Sequence, residues 1–243
     1  VRLIKLHDTV PLFCIDNLNK SFGRRKVLSE LNLKIYKGDF LTIFGPNGAG
    51  KTTFLRILST LSGFSSGSIV IDGVDIKEDS SELRQKIGLI SHNLLLYKDL
   101  NAYENLRFYA KMYDISLREE KISELLQRVE LDHRKFDVVG SFSRGMQQRL
   151  SIARALLHNP EIIFLDEPFS GLDVHASKIL DDILEKLKRE GHTLIMTTHN
   201  LERGLVHANS VAIINGGKIV YSKRCDLPDL NGFKRIYYEH IGD

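Results

Sequence analysis

Phe40-Leu41-Thr42-Ile43-Phe44-Gly45-Pro46-Asn47-Gly48-Ala49-Gly50-Lys51-Thr52 is the stretch on which the fold turns. Phe40 to Phe44 predicts a short apolar strand, and Gly45 to Gly50 is too rich in glycine to be anything but a loop. Leu55, Leu58 and Leu61 then recur at helical spacing, with Ser62-Gly63 as the stop signal. Strand, loop and helix in this order, with Gly45, Gly50, Lys51 and Thr52 where they stand, match a phosphate-binding loop. Glycines let successive backbone N–H groups curl toward phosphate oxygens, and the helix N-terminus adds partial positive charge. Lys51 offers a full charge to the β- and γ-phosphates, and Thr52 a hydroxyl to Mg²⁺. Pro46, Asn47, Gly48, Ala49 and Thr53 complete the candidate nucleotide loop.

Outward from this loop, strand-like and helix-like segments alternate, which predicts an α/β class with a mostly parallel sheet flanked by helices. Ile162-Ile163-Phe164-Leu165 and Leu194-Ile195-Met196 show no polar alternation, as in strands buried on both faces. Leu180, Ile183, Leu184 and Leu187 line one helical face before Gly191. Val211 to Tyr221 reads as a hairpin folded at Asn215-Gly216-Gly217, an antiparallel part beside the parallel sheet. From about His92 to Leu157 the pattern is nearly all helix, with Asn101/Glu104 and Ser116/Glu119 as capping boxes and Ile122, Leu125, Leu126 and Val129 as an apolar stripe. The organisation expected is a single domain over 1–243: an α/β core at 1–91 and 158–222, a helical insert at 92–157, and a tail at 223–243 without a legible element.

Asp166-Glu167 ends the strand Ile162–Leu165, and two acids there are costly unless a cation or substrate awaits them. A bound Mg²⁺ gives Asp166 its reason, and Glu167 then stands where it can deprotonate the attacking water. Paired acids that merely cap the next helix or lie in solvent are the alternative.

The chain has 243 residues, 42% hydrophobic and 27% charged, the balance of a globular protein with a real core. A net charge of +3 is too weak to argue for nucleic acid and is compatible with an anionic membrane surface. Cys14 and Cys225 lack metal-ligand spacing and read as free thiols of a reducing compartment. No apolar run approaches the roughly 20 residues that cross a bilayer. Val1 to Lys5 has no cleavage signal. A cytoplasmic location is expected, with any membrane role through a partner.

Together these stretches resemble the ATP-binding subunits of ABC transporters, from about Phe13 to Tyr221. Ser141-Phe142-Ser143-Arg144-Gly145-Met146-Gln147-Gln148-Arg149 looks like the family signature, Ser170-Gly171-Leu172-Asp173 like its D-loop, and Thr197-Thr198-His199 like its switch histidine. The resemblance implies a P-loop core with an inserted helical subdomain, ATP and Mg²⁺ as cofactors, and ATP hydrolysis. It implies a homodimer, or a heterodimer with a similar ATPase, sandwiching ATP on the cytoplasmic face of a membrane permease. By the same resemblance Ser143 and Gly145, flanked by Arg144 and Met146, contact the γ-phosphate held by the opposite subunit. Asp173 communicates across the dimer, and His199 hydrogen-bonds the γ-phosphate and positions the water. Lys51, Glu167 and His199 form the catalytic set; Thr52, Asp166 and His92 are the metal candidates. Phe22 stands where the family stacks an aromatic on adenine, with core packing as the alternative.

Two positions depart from the family. His92 fills the slot of a glutamine that touches Mg²⁺ and the lytic water; a neutral imidazole can accept a hydrogen bond or ligate a metal, and a solvent-facing loop histidine is the alternative. Arg144 replaces the first glycine of the signature and puts a long cation near the shared site. Ser91 to Asn93, Asn101 to Leu106 and Phe142 to Met146 look most like haem- and multidrug-exporter ATPases. Two other readings stay open: a soluble ABC-type ATPase driving an assembly or translation partner, and an unrelated phosphate-loop kinase that leaves the signature unexplained.

Overall fold

The structure, a computed structural model, describes residues 10–78, 81–91, 93–115 and 119–242. Two sheets carry it. A four-stranded antiparallel sheet has the order β2-β1-β4-β5, formed by β1 (Pro11–Phe22), β2 (Arg25–Tyr36), β4 (Ser66–Ile71) and β5 (Val74–Asp75). A six-stranded sheet has the order β10-β9-β3-β8-β7-β6. Its members are β3 (Phe40–Phe44), β6 (Ile87–Ile90), β7 (Ile162–Asp166), β8 (Thr193–Thr198), β9 (Ser210–Asn215) and β10 (Lys218–Arg224). Strands β6, β7, β8, β3 and β9 run parallel, and β10 folds back antiparallel on β9 past Gly216-Gly217. Every residue of β3, β7 and β8 is buried, which is why none of them alternates in polarity.

The helices are α1 (Lys51–Leu58), α2 (Ser81–Gln85), α3 (Ala102–Met112), α4 (Glu119–Arg128), α5 (Arg144–Leu156), α6 (Val174–Arg189), α7 (Leu201–His207) and α8 (Leu230–Ile241). One core joins α3, α4, α5 and α6 to one set of side chains of the parallel sheet, including Phe40, Ile163, Leu165 and Met196. A second fills the space between that sheet, α1 and the antiparallel sheet through Leu41, Ile43, Phe54, Ile57 and Phe13. The nucleotide loop, between β3 and α1, is thus anchored at both ends in packed apolar structure.

Helix α1 is shorter than the leucine spacing suggests. It ends at Leu58; Thr60 takes a left-handed backbone (φ 61°) that turns the chain, and Leu61 is exposed outside the helix. The Asn101 box is complete: its side chain accepts from the Glu104 N–H while Glu104 returns a bond to the Asn101 N–H. Ser116 lies outside the described residues. Residues 223–243 are more than a tail. Asp229 caps α8 by accepting from the Gly232 N–H, and Phe233 is fully buried 4.8 Å from the ring of Phe44. Burying such a ring contributes roughly 1.5–3 kcal/mol.

The outer edge of β6 is closed by side chains. Ile162 donates its N–H to Lys86 O, so the alternation of a strand turns the carbonyls of Ile87 and Leu89 away from β7. His158 Nε2 meets Ile87 O at 2.8 Å, and Arg154 Nη2 donates to Leu89 O at 2.6 Å. Gly88 between them allows this approach, because a Cβ there would stand 2.7 Å from Ala155 O.

Burial, together with the Arg154 charge, pushes the His158 imidazole below its ordinary value of 6.5, against the opposing bond to Ile87 O. The unfolded chain therefore binds the proton first, and stability is lost as pH falls from about 6.5 through the lower folded-state value. Denaturant unfolding of the parent should weaken between pH 7.5 and 5.5 more than that of His158→Gln; equal slopes would reject this linkage.

Candidate nucleotide site

The C-terminal ends of β3, β7 and β8 converge on one cleft of about 510 Å³, lined by Pro46 to Thr53, Phe22, Arg25, Val27 and Glu167. Gly45 enters it with its Cα against β9: a Cβ would lie 2.2 Å from Ile214 O. Lys51 is buried at the start of α1, and its Nζ donates to Gly45 O (2.6 Å) and Pro46 O (3.1 Å). Burial holds its ammonium below the usual lysine range, with Glu167 and Asp166 pulling the other way. A desolvated cation at a helix N-terminus is poised for a polyanion.

Thr52 Oγ1 donates to Asp166 Oδ1 at 3.0 Å, and Thr197 Oγ1 donates to the same oxygen at 2.6 Å. Glu167 follows with a left-handed backbone, φ 48°, its N–H tied to Thr197 O. Its carboxylate is held from both sides: Oε2 accepts from Thr198 Oγ1 (3.1 Å), and Oε1 meets His199 Nδ1 (2.8 Å). With Nδ1 turned to Glu167, Nε2 of His199 is the nitrogen left for another ligand. Thus Lys51, Thr52, Asp166, Glu167 and His199 come together from three strand ends. Sequence reasoning named Thr197 and Thr198 only as neighbours of His199 and missed their role in fixing both acids; hydroxyls on the strand beside β7 were the signal. Arg25 and Val27 of β2 were also missed, and nothing in their local sequence marks them.

Phe22 is 56% exposed at the cleft wall, which excludes the core alternative. Lys20 Nζ lies 4.6 Å from its ring centre. His92 lies outside the described residues.

Ser143, Arg144, Gly145 and Met146 do not line this cleft. Ser143 caps α5 by accepting from the Met146 N–H at 3.3 Å. Asp173 caps α6 through the Ala176 N–H at 2.8 Å. The two caps are neighbours: a Cβ on Gly145 would sit 4.0 Å from Asp173 Oδ2, and one on Gly171 would sit 2.8 Å from Arg144 Nε. The signature and the D-loop therefore form one surface, apart from the phosphate loop of their own chain.

Residues 28–170 match the family model described as ABC transporter. The chain belongs to that family. It is 40% identical over 212 residues to the lantibiotic transport ATP-binding protein SrtF of Streptococcus pyogenes, covering 87% of this chain and 90% of that one. It is 38% identical over 199 residues to the ABC transporter ATP-binding protein NatA of Bacillus subtilis, covering 81% of each. Among solved structures, a dimeric post-hydrolysis state of the ATP-binding cassette MJ0796 bound to ADP and Pi superposes with a TM-score of 0.80 at 27% identity, over 89% of this chain and all of that one. This ABC protein is the ATP-binding subunit of a transporter and hydrolyses ATP to ADP and phosphate. The finer likeness to haem and multidrug exporters is not shown by these relatives. Among the described residues, no helix is long and apolar enough to cross a membrane.

Proposed function

We propose that two copies of this ABC subunit, or one copy and a similar ATPase, close head to tail around ATP and so energise a separate transmembrane permease, in the direction of export. The observation that carries this is the separation of the signature from the cleft: Lys51, Thr52 and Glu167 line it, while Ser143 and Gly145 face elsewhere beside the D-loop. A second subunit presenting Ser143 and the α5 N-terminus would complete the shell of the γ-phosphate. ATP then shifts an open–closed equilibrium through its higher affinity for the closed dimer. Hydrolysis removes the bridging group and the halves part.

Thr52 and Asp166 offer hard oxygens to Mg²⁺, and their mutual hydrogen bond places both donors at one point. Bound there, the ion would offset charge on the β- and γ-phosphate oxygens. Glu167 takes the proton of the attacking water, since a carboxylate with two partners retains acceptor capacity. His199 orients Glu167 through Nδ1, which leaves Nε2 to meet a phosphate oxygen. Phe22 gives the adenine an apolar face.

Tyr97, Phe108 and Met112 are exposed together near the 93–97 segment, with the Tyr97 and Phe108 rings 4.7 Å apart. An apolar patch of this kind supports a permease contact, which would hold the subunit on the cytoplasmic membrane face. Export draws support from the lantibiotic transport relative and from the exporter look of residues 91–93, 101–106 and 142–146. A pull-down from detergent-solubilised membranes should recover a protein with several membrane spans; recovery of soluble partners alone would overturn the permease.

His92 takes the place of the usual glutamine in this reading. Parental ATPase turnover should then fall as pH drops through the imidazole range, whereas His92→Gln keeps its rate. Identical profiles would reject the assignment.

A further inference from the structure

Arg154 is 4% exposed and lies on the signature helix α5. Among the described residues its one protein acceptor is Leu89 O; Nε has none, and the guanidinium sits 5.2 Å over the ring of Tyr109 on α3. Burying a guanidinium so sparsely bonded costs several kcal/mol that an apolar side chain would not. Packing alone does not account for it. One turn on, His158 repeats the arrangement, stacked 4.1 Å from Tyr113 and facing Ile87 O, with Nδ1 left unpartnered. Two rungs thus run from α3 through α5 to the strand that leads toward position 92.

The second end of that segment is tied as well. The Tyr109 hydroxyl donates to Leu95 O at 2.5 Å, and burial pushes its phenol up, so it stays a donor. The same ring that supports Arg154 therefore grips the backbone beyond position 92, while Arg154 grips it before.

We propose that Tyr109 and Arg154 are positioning residues for hydrolysis: they clamp Leu89 and Leu95, on either side of position 92, to the helix that Ser143 caps. A shift of Leu89 and Leu95 is then passed to α5, and the signature is delivered to the second subunit's nucleotide in step with it. This role presupposes the head-to-tail reading above, because it acts through α5.

Tyr109→Phe keeps the ring under Arg154 and deletes only the bond to Leu95 O. In the full chain, amide exchange over 93–97 should quicken about five- to tenfold, the scale of one lost hydrogen bond. The kcat should fall by a similar factor, with KM for ATP and the melting temperature unchanged. Arg154→Lys should reproduce the split, since an ammonium cannot stack as a planar fork does. Faster exchange with full kcat overturns the proposal, as does a higher KM at constant kcat, or a kcat loss that follows a lowered melting temperature. ATP-driven dimerisation of Glu167→Gln tests the underlying reading separately; a monomer there removes the dimer while the exchange and kcat results still decide whether the clamp exists.

Discussion

Glu167→Gln is expected to yield a chain that closes around ATP and remains closed, with turnover lowered about 10²–10⁴-fold, the usual worth of a general base. The substitution keeps the side chain's length, so an acceptor for Thr198 Oγ1 survives on the amide. What disappears is the ability to take a proton from water. ATP bound by the closed form alone stabilises it by about 2.7 kcal/mol at one hundred times its dissociation constant. In the parent that gain is dissipated at every turnover; in the variant it persists. Sedimentation with ATP and Mg²⁺ at high protein concentration should show a dimer, and the same sample without nucleotide a monomer. A variant that stays monomeric with ATP would remove the head-to-tail reading.

Lys51→Ala should instead abolish nucleotide binding. Charge-assisted hydrogen bonds to two phosphates are worth about 1.5–3 kcal/mol each, so affinity should drop roughly 10²–10⁴-fold. The fold should survive, because the lysine is itself held at a desolvation cost and its loss frees only the carbonyls of Gly45 and Pro46 at the cleft. Calorimetric titration with ATP checks the affinity, and the ATP-dependent rise in melting temperature seen for the parent should vanish. Retained binding would mean that backbone amides alone hold the phosphates. The two variants separate the steps: one binds without turnover, the other does neither.

Sequence displays the nucleotide loop well because its chemistry is contiguous. A strand, a glycine loop and a helix start within Phe40 to Leu58 bring their own geometry. Asp166 and Glu167 were legible for a related reason, since acids after an unbroken apolar strand conflict with burial. Pairings across distant segments were not legible. Thr197 reaches Asp166 over 31 positions and Arg154 reaches Leu89 over 65, and neither spacing leaves a local trace. The true end of α1 was misjudged because Leu61 fits the helical period, while a left-handed Thr60 decides the matter. Helix α8 was readable in principle: Asp229 as N-cap precedes Phe233, Ile236 and Tyr237 at helical spacing. Gly232 in its first turn and the charges between blurred that stripe.

The side chains that occupy the free carbonyls of Ile87 and Leu89 have a bearing on solubility. An open strand edge is a template for intermolecular sheet growth, the route to fibrils and swapped assemblies. At β6 that template is already spent on Arg154 and His158, and at the opposite end β10 presents Lys218 and Lys223. Copies of this ABC subunit at high local density can thus collide without knitting their six-stranded sheets into one.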